Sequence, residues 1–302
     1  MSEHIVHTSI MEDSFNFISI SDEICQEFKE IAENYHDFAL LGSITRGADR
    51  FSVNLLKSFR DRWDSSKEED KIEEKLAFVF GWLTHRSADR QMKPIWRGDN
   101  EIDNSLSPSE CSVYHEAFMF KEYHEEENEI YNMVFDQSKL NKNQAAVSLK
   151  VKEGKKLIRA LLKGALIEMH TLIPGEDDIE SWLENLFSLQ QTFKNDLLAR
   201  YAEAIYNPEP EKIKKYITDV NFFKRDEPLL KLAKEIRSGN EIDAEKLSSI
   251  LKKQAESQYA IALKRAYLYL KSASDFFKEK ITIEQLEEDL HIGKKGRHGG
   301  YI

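Results

Sequence analysis

Apolar residues recur along the chain at the three- and four-residue spacing that is typical of amphipathic helices, and no convincing set of alternating strands interrupts this pattern. Only 12 Gly and 6 Pro are spread over the 302 residues, so few positions break a helix. The pattern therefore predicts an all-α, multi-helix bundle. The predicted helices span 3–18, 22–41, 50–62, 68–92, 108–135, 143–171, 176–206, 210–220, 226–238, 243–278 and 282–289.

The segment 68–92 is apolar on more than one face, which predicts a buried helix. One stripe runs through Ile72, Leu76 and Leu83 at helical spacing. A second stripe ends in His85 and Asp89, which lie four residues apart and share a face. An unpaired carboxylate is costly to bury. The two groups are therefore expected to satisfy one another, a neighbouring group or a shared metal ion.

Three other places offer ligands of the same chemistry. The face of His7 continues into apolar residues, which places this histidine at the core. His115 and Glu122 lie two turns apart on the predicted helix 108–135 and can reach one ion, with Glu116 as the alternative to Glu122. Asp49 follows an apolar helix end broken by two glycines, and a carboxylate on such a turn is a common ligand.

Composition narrows the function classes. The formal net charge is -11 and the pI is near 5.4, which argues against a general nucleic-acid binder because such proteins carry a basic footprint. Two cysteines offer no Cys-rich metal framework, so His, Asp and Glu must hold any metal. The sequence has neither a transmembrane-length apolar run nor the features of a signal peptide, and the expected location is cytoplasmic.

Domain organisation is predicted from the short joints between helices. We expect a metal-binding helical core in residues 1–140 and a C-terminal helical part in 141–290 that packs on it, as one domain. The glycine-rich, basic segment 291–302 is predicted to be a flexible tail.

Several of these pieces occur in a recognisable order. An N-terminal His is followed by the segment Phe38–Asp49, with its Gly-Ser-Ile motif, by the Gly-aromatic-Leu-x-His-x-x-x-Asp helix from Gly81 to Pro94, and by a His/Glu helix. In this order the chain resembles the zinc-dependent phospholipase C family, an all-helical superfamily that includes the single-strand-specific zinc nucleases. The resemblance covers roughly residues 1–135. It implies a site of one to three zinc ions, with Mn or Fe as alternatives, bound by His7, Asp49, His85, Asp89, His115 and Glu122.

The resemblance also implies a reaction and the residues that serve it. Members of this family use a zinc-bound hydroxide to attack a phosphoester, so the expected substrate is a small phosphoester or a lipid head group. Asp49 takes the place of the bridging carboxylate. Arg46 and Arg90 flank the expected ligands, and arginine can hold phosphate oxygens. Lys93 stands before Pro94, close to where the family commonly has a further histidine.

Two alternatives stay open at the level of sequence. The dipeptide His36-Asp37 fits the outline of an HD-type phosphohydrolase, which is another helical metal enzyme. In a second alternative the same polar residues only organise the core of a non-catalytic, partner-binding helical protein.

Overall fold

The computed structural model describes residues 4–44, 49–65, 67, 70–96, 107–124, 204 and 207–294. Throughout these residues the regular structure is helical and contains no strand, which confirms the all-α prediction. The helices predicted at 143–171 and 176–206 lie outside the described residues, apart from Ala204. No helix in the described ranges has the length and apolar character that a membrane crossing needs.

Eleven α-helices are seen in the described residues. They are α1 (His4–Ile20), α2 (Gln26–Asn34), α3 (His36–Ile44), α4 (Asp49–Arg62), α5 (Ile72–Trp96), α6 (Pro108–His124), α7 (Pro210–Ile213), α8 (Pro228–Arg237), α9 (Ala244–Leu251), α10 (Gln258–Phe277) and α11 (Ile283–Asp289). A 3-10 turn (Trp63–Ser65) follows α4, and a π-helical turn (Lys214–Thr218) follows α7. Helix α6 begins at Pro108, the first residue of the predicted helix 108–135, and proline is favoured at the first position of a helix.

Helix α5 occupies the centre of the fold. It packs against α3 and α10 most extensively, and also against α1, α2, α4 and α6. Its apolar residues are inaccessible on several sides, as Leu76, Phe78, Phe80 and Leu83 show. The prediction of a helix that is apolar on more than one face is therefore confirmed.

Helix α10 joins the C-terminal helices to the same core. Alanines at 262, 266 and 273 are fully buried, and their small side chains allow α10 to pack closely on α5 and α1. The Ser87 hydroxyl of α5 donates to the Ala262 carbonyl at 2.6 Å. Helices from both sides of the stretch 125–203 thus contribute to one hydrophobic core.

Two predicted helices are broken in the structure. The predicted helix 22–41 divides at Tyr35, whose φ of -122° and ψ of 33° leave the helical region. The predicted helix 243–278 ends at Leu251 and restarts after Ser257, which accepts a hydrogen bond from the Ala260 amide as an N-cap. Conversely, α5 continues through Pro94 to Trp96, because a proline in the last turn removes only one helical hydrogen bond.

Candidate metal centre

The close contact between α3 and α5 depends on two glycines. A Cβ atom added to Gly42 would lie 2.1 Å from the Phe78 carbonyl oxygen, and one added to Gly81 would lie 2.0 Å from the Ala39 carbonyl oxygen. Only glycine permits backbones to approach this closely. The contact brings the Ser43 carbonyl to 2.7 Å from His85 Nδ1. The contact of the Ser43 carbonyl with His85 was not predicted from the sequence. Gly42 and Gly81 were the available signal, because two glycines on different helices indicate a close backbone contact.

His7, His85 and Asp89 come together between α1 and α5. The Nε2 atom of His85 lies 3.1 Å from Asp89 Oδ2, and the Nε2 atom of His7 lies 3.5 Å from Asp89 Oδ1. The two imidazole rings stack with their centroids 4.3 Å apart. His7 and Asp89 are buried, and the potential ligand atoms of the three residues lie within 4.8 Å of one another. This cluster could hold a metal ion.

Helix α1, which carries His7, is fixed at its first turn by Glu116 of α6. The Glu116 carboxylate accepts hydrogen bonds from the Ile5 amide at 2.7 Å and from the Val6 amide at 3.1 Å. The first amides of a helix lack helical partners and favour a negative charge nearby. Glu116, which the sequence offered as an alternative ligand on α6, therefore acts as a cap that positions His7.

Lys93 is a fourth member of the cluster, because its ammonium group contacts Asp89 Oδ2 one turn further along α5. Burial by itself would raise the pKa of Asp89. The hydrogen bonds and charges of His7 and His85 outweigh that effect and hold the pKa well below its ordinary value. Asp89 is therefore ionised at neutral pH, and cations or polarised hydrogen-bond donors must surround it.

The hydrogen bond from His85 to Ser43 fixes one proton of this imidazole. A carbonyl oxygen only accepts, so Nδ1 carries a hydrogen and donates it to Ser43. Burial, followed by the charge of His7, lowers the pKa of His85, and its hydrogen bond to Asp89 opposes this shift. The Nε2 atom lies 3.1 Å from Asp89 Oδ2. A protonated ring donates from Nε2 to this carboxylate, and a neutral ring offers there a lone pair that can bind a metal ion.

His115 is not brought into the cluster. Its Nδ1 atom accepts a hydrogen bond from Trp96 Nε1 at 3.1 Å, and its Nε2 atom donates to the Tyr216 carbonyl at 2.8 Å. The ring stacks on Phe222 with a centroid distance of 3.8 Å. Both ring nitrogens are thus occupied by protein groups. The structure gives His115 a role in packing α6 against the π-helical turn, in place of the predicted metal ligand.

The burial of His115 predicts that acid destabilises the fold. Burial lowers the pKa of this imidazole from 6.5 to about 3 in the folded protein. The unfolded chain therefore binds a proton at a pH where the folded chain does not, and stability falls as the pH falls from 6.5 towards 3. The expected contribution is about 1.4 kcal/mol per pH unit within that window. Urea unfolding at several pH values measures how the free energy of unfolding depends on pH. Between pH 6.5 and 3 this dependence should be smaller by about this amount in His115→Gln than in the wild type. An equal dependence in the two proteins would contradict the burial of a neutral His115.

Glu122 and Arg90, two further residues of the predicted site, lie outside the cluster. Glu122 is not in the cluster, because it accepts a hydrogen bond from Arg225 Nε at 2.8 Å. Arg90 is almost fully buried and donates to the His291 and Lys294 carbonyls at 3.4 and 3.1 Å. It follows Asp89 directly, and successive side chains on a helix point about 100° apart, so Arg90 lies on a different face of α5 from Asp89.

Two further predicted residues lie partly or wholly outside the described residues. Asp49 begins α4, but its side chain is not described, and Arg46 lies outside the described residues altogether. The bridging carboxylate and one of the two catalytic arginines therefore stay predictions.

His36, which begins the HD-type alternative, lies apart from the cluster. Its Nε2 atom is 2.9 Å from the Glu12 carboxylate, and this contact raises the pKa of His36. Asp37 is exposed. Within the described ranges, only His7, His85 and Asp89 form a group of three potential metal ligands.

The cluster has the donor chemistry of a metal centre, with two imidazoles from different helices and one carboxylate. Its outer partners include a backbone carbonyl on His85 and a lysine on Asp89. Of the ligands that the resemblance to zinc-dependent phospholipases C implies, the fold brings His7, His85 and Asp89 together. The resemblance itself stays a prediction. No protein family, curated protein or solved structure matches this chain.

Proposed function

We propose that His7, His85 and Asp89 bind a divalent metal ion, with zinc as the best fit, and that the site hydrolyses a phosphoester. Catalytic zinc sites combine three protein ligands of these types with one open position. Ligands of a tetrahedral ion with bonds of about 2.1 Å lie about 3.4 Å apart. The histidine nitrogens lie 3.1 and 3.5 Å from the two Asp89 oxygens, and one ligand atom from each of the three residues lies within 4.8 Å of the others, so modest movement would bring them to that spacing.

The observation that carries the proposal is the orientation of His85. Its hydrogen bond to the Ser43 carbonyl leaves Nε2 as the ring nitrogen that faces the ionised Asp89 carboxylate, and in the neutral ring this atom has a lone pair for a metal ion. Metal-binding histidines commonly donate their other ring nitrogen to a carbonyl or carboxylate, which fixes the tautomer and raises the basicity of the ligand. A bound metal ion would satisfy both acceptors at once.

The chemistry of the site then follows from its residues. A zinc ion held by His7, His85 and Asp89 would supply Lewis acidity and would activate water for hydrolysis at neutral pH. His7 and His85 hold their ligand atoms through the α1 cap at Glu116 and the carbonyl of Ser43. Lys93 places an ammonium group beside Asp89, and ammonium groups bind phosphate oxygens. The resemblance of the sequence supports a phosphoester, either a small ester or a lipid head group.

The contact between Lys93 and Asp89 favours a second candidate. A lysine ammonium can supply the positive charge that the two acceptors need. In that case the four side chains form a buried polar network that joins α1 to α5, and the protein is a non-catalytic helical protein. The two candidates differ in one measurable property, which is the binding of a metal.

Metal content and activity distinguish these candidates. We expect the purified protein, equilibrated with zinc and desalted, to hold at least one ion per chain by mass spectrometry of the metals. Asp89→Asn and His85→Ala should each weaken zinc binding by more than the roughly 10–100-fold that the loss of an outer-shell partner costs. His36→Ala is the matched control and should bind zinc as the wild type does; its failure would favour the HD-type alternative.

Hydrolysis is tested with the same proteins and two generic substrates. p-Nitrophenyl phosphate reports on monoesters, and bis(p-nitrophenyl) phosphate reports on diesters. The proposal expects zinc-dependent hydrolysis of at least one, lost in Asp89→Asn. Zinc binding without turnover of either substrate would reject hydrolysis of these esters while keeping the metal centre, whereas absence of binding would establish the lysine-paired network.

A further inference from the structure

A second polar site lies on the opposite side of α10 from its buried alanines. A pocket of about 900 Å³ is formed by α10, α11 and the residues that follow α11. Its lining includes four basic side chains and two acidic ones, which are Lys264, Arg265, Lys271, Lys294, Glu288 and Asp289. A pocket of this volume can hold a small organic ligand.

Arg265 is the central feature of this pocket. Its Nη1 atom is buried and has no hydrogen-bond partner among the residues that the structure describes. Leaving a buried charged donor unsatisfied is costly, and native proteins commonly resolve such cases with a ligand, an ion or water. The Arg265 side chain as a whole is partly exposed and lines the pocket, and guanidinium groups recognise the oxygens of phosphate or carboxylate groups.

The acidic side chains of the pocket have other partners. Asp289 accepts hydrogen bonds from the Ser272 hydroxyl and the Gln285 amide, each at 2.8 Å. Glu288 lies 3.5 Å from the Lys294 ammonium at the surface. Neither carboxylate forms a salt bridge with Arg265, so the negative charges of the pocket do not neutralise it.

Two buried arginines of α5 add positive charge behind the pocket. Arg86 donates to the carbonyls of Leu290 and His291, and Arg90 donates to those of His291 and Lys294. These bonds hold the segment after α11 that forms one wall. Burial, together with the charges of Arg90, Arg265, Lys294 and Arg86, lowers the pKa of His291 to about 4. The pocket is therefore electropositive at neutral pH even though the whole chain is acidic.

An apolar surface lies beside the charged one. Leu268, one turn after Arg265 on α10, is the exposed large hydrophobic side chain of the described residues, at 43%. Ile261, one turn before Arg265, also lines the pocket. Positions 261, 265 and 268 follow helical spacing and share one face. The same wall thus offers an anion-binding group between two apolar groups.

We propose that this pocket binds a small organic phosphate, with the phosphate group on Arg265 and an apolar substituent on Leu268. The site is separate from the His7, His85 and Asp89 cluster, because none of these three residues lines the pocket. The proposal does not rest on metal binding or on hydrolysis. It also accounts for the position of Arg90, which binds the wall of this pocket.

Calorimetric titration of the full chain with inorganic phosphate and with butyl phosphate tests the proposal. Both should bind saturably, and butyl phosphate should bind about fourfold or more tightly, because each buried methylene contributes roughly 0.8 kcal/mol. Arg265→Gln should weaken both by about tenfold or more, since it removes a charge-assisted hydrogen bond. Leu268→Asn should abolish only the preference for butyl phosphate.

Controls separate this pocket from other effects. Arg225→Gln removes an exposed arginine that does not line the pocket and should leave both affinities unchanged. The same titrations of metal-free protein should give the same affinities, which keeps the result independent of the metal centre. Arg265→Lys retains the charge and is the variant to use if Arg265→Gln does not fold; it should also bind more weakly than the wild type. The absence of saturable binding, or equal affinity in wild type and in the folded Arg265 variant, would overturn the proposal.

Discussion

Gly81→Ala is expected to lower the free energy of unfolding by about 3 kcal/mol or more, because overpacking here meets rigid backbone. The added Cβ would lie 2.0 Å from the Ala39 carbonyl oxygen and 2.6 Å from the Ser43 nitrogen. Neither atom can move unless α3 shifts as a whole. In an unconstrained helix the same substitution stabilises the helix by up to about 1 kcal/mol, because alanine has the higher helix propensity. Here we expect it to lower the free energy of unfolding instead.

Urea unfolding measures this effect, and Gly239→Ala is the control. A Cβ atom added to Gly239 would meet no other atom within 4 Å, but this residue has a φ of +79°. Alanine there should therefore cost only the backbone strain of the left-handed conformation, which is about 1–2 kcal/mol. A shift of α3 would also move the Ser43 carbonyl away from His85, and the proposed metal centre would then bind zinc more weakly in any protein that still folds. A neutral or stabilising Gly81→Ala would show that α3 and α5 do not meet as described.

Arg237→Met is expected to destabilise the fold by about 3–5 kcal/mol, because it leaves a buried carboxylate without its counter-charge. Asp13 on α1 is fully buried and contacts both Arg237 and the Tyr123 hydroxyl. The guanidinium group of Arg237 also lies 3.8 Å from the centroid of the Tyr123 ring. This group of side chains joins α8 to α1 and α6.

A double variant separates the cost of an unpaired Asp13 carboxylate from the contribution of the Asp13–Arg237 ion pair to stability. Asp13→Leu combined with Arg237→Met should be less destabilised than Arg237→Met alone, since no charge then stays buried. Lys246→Met breaks an exposed pair with Glu235 and should cost less than about 1 kcal/mol. Similar small losses in Arg237→Met and Lys246→Met would contradict the burial of Asp13.

The spacing of apolar residues was sufficient to predict the helix α5. The same helical spacing predicted that His85 and Asp89, four residues apart, lie next to each other on it. Spacing was insufficient where distant groups decide the backbone. Residues 252–257 contain neither Gly nor Pro, and the helix predicted through them breaks because the Glu227 carboxylate accepts hydrogen bonds from the Glu256 and Ser257 amides at 2.7 and 3.1 Å. No local pattern contains that interaction.

The candidate site shows the same division. The pair His85 and Asp89 could be predicted from a costly carboxylate in an apolar helix, and His7 from the face on which it lies. His115 has a similar local pattern, yet Trp96 and Tyr216 occupy its two nitrogens. Arg90 is adjacent to Asp89 in sequence but is bound to the segment after α11. Tertiary partners, which spacing alone does not reveal, determine these two roles.

The most direct test of the metal centre is anomalous diffraction at the zinc edge from crystals equilibrated with zinc. The proposal predicts a peak about 2.0–2.2 Å from the Nε2 atoms of His7 and His85 and from an Asp89 oxygen, with His85 still bonded to the Ser43 carbonyl. Density that shows no anomalous peak there, with the Lys93 ammonium still on Asp89, would contradict it.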